Sequence, residues 1–167
     1  MNELAFEEFD PVNLASWLER SRSGYISERM AAGDTPTEAT ANADATLAKA
    51  FPGGTPAPGH MVGWVSDDGV RVGELWIGPY RDDPDRWWVW DVAVDETKRG
   101  HGLGRKTMIL AESLATTKGA TSIGLNVFAR NAAARSLYRS LGYQETSVQM
   151  RKSFLPAFDK PSTAADP

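Results

Sequence analysis

Residues Val92 to Gly104 read V-A-V-D-E-T-K-R-G-H-G-L-G and constrain the fold more than any other stretch of the chain. An apolar run, Trp87-Trp88-Val89-Trp90-Asp91-Val92-Ala93-Val94, reads as a strand and leads into a short polar turn with a basic edge. Glycines stand at Gly100, Gly102 and Gly104, and a helical pattern opens at Leu103 and continues through Leu110 and Leu114. Glycine lets the main chain come close to a ligand and aim successive N–H groups at it. The start of a helix adds a partial positive charge to the same donors. The segment therefore predicts a bound phosphate or pyrophosphate, without saying which molecule carries it.

Three loop types compete for these residues. A dinucleotide fingerprint needs G-x-G-x-x-G and an acidic residue roughly 20 positions on. Here the third glycine comes one residue early, and the region around Ala120 and Ser122 is not acidic. A Walker A loop needs G-x-x-x-x-G-K-[ST]. Gly100 to Thr107, G-H-G-L-G-R-K-T, falls short because Arg105 puts a long side chain where the backbone must turn tightly. The third type is R-x-x-G-x-G, which Arg99-Gly100-His101-Gly102-Leu103-Gly104 fits.

A second segment separates them. Residues 125–143 read L-N-V-F-A-R-N-A-A-A-R-S-L-Y-R-S-L-G-Y: a strand end, Asn131, the small residues Ala132 to Ala134, Leu137-Tyr138, and the stop Leu141-Gly142-Tyr143. The two motifs together resemble the GNAT superfamily of N-acetyltransferases over about Gly63 to Lys152. The resemblance implies an α+β (mixed α/β) fold with a central twisted, mostly antiparallel sheet, its middle strands splayed and its faces flanked by helices. It implies acetyl-CoA as acyl donor, with no metal, and direct attack by a primary amine of a small molecule or peptide in a ternary complex. Main-chain groups of Val92, Ala93 and Val94 would hold the pantetheine arm, and Arg99, Gly100, His101, Gly102, Leu103, Gly104 and Arg105 the pyrophosphate.

Composition is compatible with this and narrows the alternatives. A chain of 167 residues, 41% hydrophobic and 24% charged, suits one soluble globular domain. No apolar run reaches the roughly 18 residues of a membrane span, and the acidic N-terminus M-N-E-L-A-F-E-E-F-D is unlike a signal peptide. A cytoplasmic location without membrane or nucleic-acid partners is the expectation, the net charge of −4 arguing weakly against nucleic acid. Zero cysteines exclude disulfides, thiolate metal sites and a Cys nucleophile. His60 opens a strand beside a Pro/Gly loop and His101 lies between two glycines, and two histidines so placed do not make a metal site.

Read in order, Asp10-Pro11 starts a helix marked by Leu14, Trp17, Leu18 and Ile26. Thr35-Pro36-Thr37-Glu38 starts a second, with a capping box, running to about Phe51. P-G-G-T-P-A-P-G (52–59) is a loop. Strands are predicted near His60–Ser66 and Val70–Trp76, then a polar loop Tyr80–Arg86 and the Trp-rich strand. The long helix ends near Lys118-Gly119, Thr121–Phe128 is a strand, Ala132–Ser140 a helix and Ser147–Lys152 a last strand. Residues 1–155 are expected to form a single domain, with helices over 10–51 on the acceptor side and a mobile tail over 156–167.

Acyl transfer from a thioester to an amine needs a deprotonated amine, a polarised carbonyl and a proton for the leaving sulfur. An ordinary alkyl amine has a pKa of about 10.4, so a base or ordered water must take its proton. The resemblance places oxyanion donors near Ala93 and Val94 and makes Tyr138 the proton donor to sulfur. A core aromatic is what spacing alone gives for Tyr138. Asn131 reads as an N-cap, with an added cofactor contact implied by the resemblance. Peptide-acetylating relatives carry a Glu where this chain has Asn126, which cannot act as a base. Asp91 is then the candidate base, Glu74 a second, and a water relay a third. Strict alternation would put Asp91 with Trp87 and Val89, opposite Trp88, Trp90 and Val92. Asp82, Asp83 and Asp85 are either a solvated loop or an attractor for a cationic amine. The six tryptophans exceed the needs of a small core, leaving some for an acceptor pocket or a homodimer contact. Because Asn126 replaces the Glu, a non-catalytic acyl-CoA sensor or degenerate partner subunit is the alternative; a P-loop-like nucleotide binder is a third reading.

Overall fold

The computed structural model describes residues 3–81, 83–152 and 154. Its five-stranded sheet runs β1 (Ala5–Glu8), β2 (Met61–Asp67), β3 (Val70–Tyr80), β4 (Asp83–Val94) and β5 (Ser122–Leu125), in that spatial order. The first three pairings are antiparallel and β4–β5 is parallel. Helices α1 (Pro11–Ala31) and α2 (Pro36–Ala50) lie between β1 and β2 in sequence, α3 (Leu103–Thr117) joins β4 to β5, and α4 (Ala132–Ser140) follows β5. The mixed sheet with flanking helices is the architecture that the two motifs imply.

The helices begin where local chemistry says they should. Asp10 caps α1 by accepting from the Asn13 amide at 2.8 Å, with Pro11 behind it. Thr35 and Glu38 form the reciprocal capping box of α2. Asn131 caps α4 through Oδ1, which accepts from the Ala134 amide at 3.1 Å. Each bond satisfies an amide that the first helical turn leaves without an acceptor.

Two apolar clusters occupy opposite faces of the sheet. On one, α3 buries Leu103, Met108, Ala111 and Ala115 against Leu75, Ile77, Trp87 and Val89, with Tyr138 of α4 and Leu141 just after it packed beside them. On the other, Leu14 and Trp17 of α1 meet Phe51, Val62 and Trp76. At about 25 cal/mol per Å² of apolar surface, these two faces supply the main drive for folding.

Four expectations are corrected. An edge strand, β1, precedes the expected first helix: Leu4 and Phe6 pack on the α3 side, and β1 pairs along β2 from Ala5↔Ser66 to Glu8↔Gly63. Most of Tyr80–Arg86 is strand rather than loop: β3 runs to Tyr80 and β4 starts at Asp83, the two paired there, and Arg81 adopts φ 59°. Asp83 and Asp85 therefore sit on a strand, while Asp82 lies outside the described residues. The strand expected over 121–128 is shorter, Ser122–Leu125. Finally, 147–152 forms no strand. Val148 and Met150 are exposed, and Arg151 instead binds the Gly33 carbonyl and Asp34 at the corner between α1 and α2. The tail expectation over 156–167 falls outside the described residues.

Candidate active site

Strand β4 organises the site through one irregularity. Asp91 stands opposite Trp76, but Val89 stands opposite Ile77, so Trp90 is an extra residue without a partner across β3. Such a bulge shifts every following side chain to the other face. Trp90 stacks on Trp76 with ring centroids 5.5 Å apart, on the α1 face. Asp91 turns to the same face, where Ser21 Oγ of α1 donates to its Oδ2 in a long hydrogen bond of 3.4 Å. Strict alternation failed here: Asp91 belongs with Trp88 and Trp90, and Val92 joins the α3 cluster with Val89.

The same strand outruns its parallel neighbour. Pairing with β5 ends at Val89↔Leu125, so Trp90 to Val94 present one edge that β5 does not cover. Splaying follows, and the freed edge includes Val92, Ala93 and Val94, the residues expected to hold a pantetheine arm. Main-chain donors and acceptors along such an edge need partners. An extended ligand bearing amides would supply them.

Beyond Val94 the chain makes a single turn over Glu96–Lys98 and reaches the glycines. Gly100 and Gly102 adopt φ 81° and 76°, the left-handed region that a side chain disfavours. Gly102 is the residue before α3, and no side chain caps the helix there. The first amide with an acceptor is that of Lys106, which donates to the Gly102 carbonyl at 3.2 Å. The amides of Leu103, Gly104 and Arg105 are thus left facing the loop, a fitting cradle for an anionic phosphate. Gly104 serves packing: a Cβ there would come within 3.3 Å of Leu137, which brings the start of α3 against α4.

The basic side chains near this cradle have other partners. Arg99 Nε donates to the Val94 carbonyl at 3.0 Å, tying the loop to the end of β4. Arg105 reaches the Ser140 carbonyl of α4 at 3.3 Å, and Lys106 pairs with Asp67 at 3.5 Å. His101 contributes its backbone to the loop, and its ring Nδ1 lies 3.3 Å from the Lys98 carbonyl. Asn131 already uses Oδ1 as a cap.

Asp91 lies on the α1 face of the sheet, and Tyr138 packs on the α3 side. Burial, reinforced by the Glu74 charge, raises the Asp91 carboxyl above its ordinary range, while Ser21 and the Val92 amide pull the other way. Burial also raises the Tyr138 phenol, and the Asp91 charge adds to it, so the two groups sense each other across the sheet. Glu74, on the α1 face, is held by Arg20 at 2.8 Å. Asn126 is exposed just past the end of β5. Neither Arg20 nor Ser21 was singled out from the sequence: only the bulge brings β4 to them, and no residue pattern announces it.

Beside Asp91 runs an aromatic row. Tyr80 lies 4.3 Å from Trp88 and 6.1 Å from Trp90 between ring centroids, and Arg86 sits over both Tyr80 and Trp88. His60 is structural: its Nδ1 accepts from the Trp76 indole at 3.0 Å. Among the described residues, no group of three or more His, Cys, Asp or Glu is placed to hold a metal ion. No helix there is long and apolar enough to cross a membrane.

Comparison with known proteins gives a consistent family. The profile of the Acetyltransferase (GNAT) family matches residues 16–143. An uncharacterized N-acetyltransferase of Bacillus subtilis, YycN, is 29% identical over 140 residues, 82% of this chain and 90% of its own. The crystal structure of that putative acetyltransferase superposes with a TM-score of 0.81, covering 91% of this chain and 99% of the other. A second uncharacterized N-acetyltransferase of the same species, YdgE, is 27% identical over 157 residues, 91% of this chain and 94% of its own. The aminoglycoside N-acetyltransferase AAC(6')-Iy, solved in complex with CoA, shares the fold at 15% identity and a TM-score of 0.53, covering 93% of this chain and 97% of the other.

Proposed function

We propose that this chain, which belongs to the Acetyltransferase (GNAT) family, transfers the acetyl group of acetyl-CoA to a primary amine of a small molecule or peptide. The observation that carries this reading is the uncovered edge of β4 from Trp90 to Val94, which leads from the uncapped start of α3 to Asp91. Phosphate cradle, amide-pairing edge and proton acceptor thus follow one another along eleven residues of chain, Asp91 to His101, and into α3.

Each residue has a task that its surroundings suit. The free amides of Leu103 to Arg105 and the left-handed turns at Gly100 and Gly102 hold the pyrophosphate. The β4 edge over Val92, Ala93 and Val94 pairs with the pantetheine amides and aims N–H groups at the acyl oxygen. CoA supplies the acetyl group as an activated thioester. Asp91, made more basic by burial, takes the proton of the incoming ammonium. Tyr138, a phenol that is protonated at neutral pH in any case and is held more firmly so by burial, donates toward the sulfur. Asn131 orients the start of α4 and so the position of Tyr138. The aromatic row of Tyr80, Trp88 and Trp90 forms a wall beside Asp91 where the carbon skeleton of an amine can lie.

A thiol-release assay with acetyl-CoA against aminoglycosides, polyamines, amino acids and short peptides tests this. Turnover with one amine class is expected, falling about 10²-fold in Tyr138→Phe while CoA binding by calorimetry persists. CoA binding without turnover for any amine would favour a non-catalytic acyl-CoA sensor, which the exposed Asn126 also suits. Failure to bind CoA would overturn the reading.

A further inference from the structure

We propose that Arg20 and Ser21, consecutive residues of α1, are positioning residues that assign the two carboxylates of the site different duties: Arg20 holds Glu74 in an ion pair, and Ser21 orients Asp91 to accept a proton. The inference rests on the proposed role of Asp91, but its test below does not require turnover.

The geometry comes from three elements. Glu74 of β3 stands opposite Ala93, and Asp91 of β4 stands opposite Trp76, so the carboxylates lie diagonally across the strand pair on the α1 face. Without the bulge at Trp90, Asp91 would point to the α3 face and the two would be separated by the sheet. Helix α1 crosses this face and delivers a cation to one carboxylate and a hydroxyl to the other. Arg20 Nη2 binds Glu74 Oε1 at 2.8 Å, and Ser21 Oγ donates to Asp91 Oδ2 at 3.4 Å.

A hydroxyl and a guanidinium do different things to a carboxylate. The guanidinium compensates the Glu74 charge and occupies its Oε1 in a charge-assisted hydrogen bond. The hydroxyl fixes the direction of Asp91 while leaving its charge uncompensated, so its second oxygen remains available to an amine. The groups facing Asp91 are Ser21 and, through Glu74, Arg20 from α1, Glu74 from β3, the Val92 amide of β4, and the Tyr138 phenol of α4. Glu74 is the one of these whose charge holds the Asp91 proton more tightly. Arg20 limits that effect, and because its side chain is 54% exposed, water shares the task.

The test follows the Asp91 carboxyl carbon by NMR against pH in the ¹³C-labelled full chain, with Asp91→Asn identifying its resonance. Arg20→Leu leaves Glu74 uncompensated and moves the titration midpoint up. Ser21→Ala removes a donor to the carboxylate and also moves it up. Glu74→Gln moves it down, and Arg20→Lys restores a midpoint near that of the wild type. Arg20 is exposed and Glu74 only partly buried, and melting temperatures verify that the variants fold. A purely structural role would lower the melting temperature and leave the midpoints in place; unmoved midpoints in Arg20→Leu and Glu74→Gln overturn the proposal. The base assignment fails separately, if Asp91→Asn retains full turnover.

Discussion

Trp90 and Asp91 are neighbours in β4, yet both point to the α1 face of the sheet. Trp90 reaches Trp76 and Asp91 reaches Ser21, because the pairing with β3 skips one residue between Ile77↔Val89 and Trp76↔Asp91. An acidic side chain is thereby set beside an aromatic wall at the point where β4 leaves β5. The bulge thus sets a partly buried carboxylate on the α1 face, where strict alternation would have pointed it to the α3 side. Several measurable consequences come from this placement and from the loop that follows.

Asp91→Asn should separate activity from stability. Its folded carboxyl holds a proton more tightly than an unfolded one, mainly through burial and then through Glu74. A raised carboxyl contributes to stability at acid pH, below its unfolded value of about 3.8, and that contribution is lost as pH rises through the folded value. At neutral pH the buried charge therefore costs stability. We expect Asp91→Asn to melt at a higher temperature than the wild type at pH 7 and to lose this advantage in acid. Turnover should fall roughly 10²-fold or more. Thermal denaturation across pH beside the thiol-release assay checks both.

The glycine loop should resist side chains even where there is room. A Cβ on Gly100 or Gly102 meets nothing within 4 Å, so any effect of alanine comes from the left-handed backbone alone. That conformation costs an L-residue about 1–2 kcal/mol. If binding CoA requires it, Gly102→Ala should weaken CoA binding roughly 5–30-fold, measured by calorimetry. An unchanged affinity would show that the loop does not bind phosphate in this conformation.

Gly124 should be needed for a different reason. A Cβ there would lie 2.4 Å from Cζ3 of the Trp88 ring, which rests on β5. Gly124→Ala should therefore cost about 1–3 kcal/mol through overpacking, read as a lower denaturation midpoint. Trp88→Leu should relieve it. A double-mutant cycle with strong coupling is the expected result; additive losses would place the ring elsewhere.

His60 should give the fold a sensitivity to mild acid. Burial lowers its imidazole below 6.5, with the Lys49 charge adding to the effect, and its neutral Nδ1 accepts from Trp76. A depressed histidine contributes stability above its unfolded value near 6.5, and this is lost as pH falls through the folded value. Protonation removes the acceptor and leaves a buried indole N–H unpaired, a loss of about 1–3 kcal/mol. Urea midpoints should drop as pH falls below 6.5, and His60→Gln should flatten that dependence.

The amino-acid sequence by itself determined the features made by near neighbours. Asp10, the Thr35–Glu38 box and Asn131 start their helices through bonds spanning three residues. The turn at Gly100 and Gly102 and the stop at Gly119 follow from the backbone freedom of glycine. These are local interactions, and they fixed the two motifs that identify the family. Tertiary structure decided the rest. β1 is too short to announce itself and exists as a strand because β2 offers it an edge. The side on which Asp91 falls, its meeting with Ser21 and its influence on Tyr138 all depend on which residue of β4 stands opposite which residue of β3. Strand register is set by packing on both faces of the sheet at once, and one unpaired residue reverses every orientation after it.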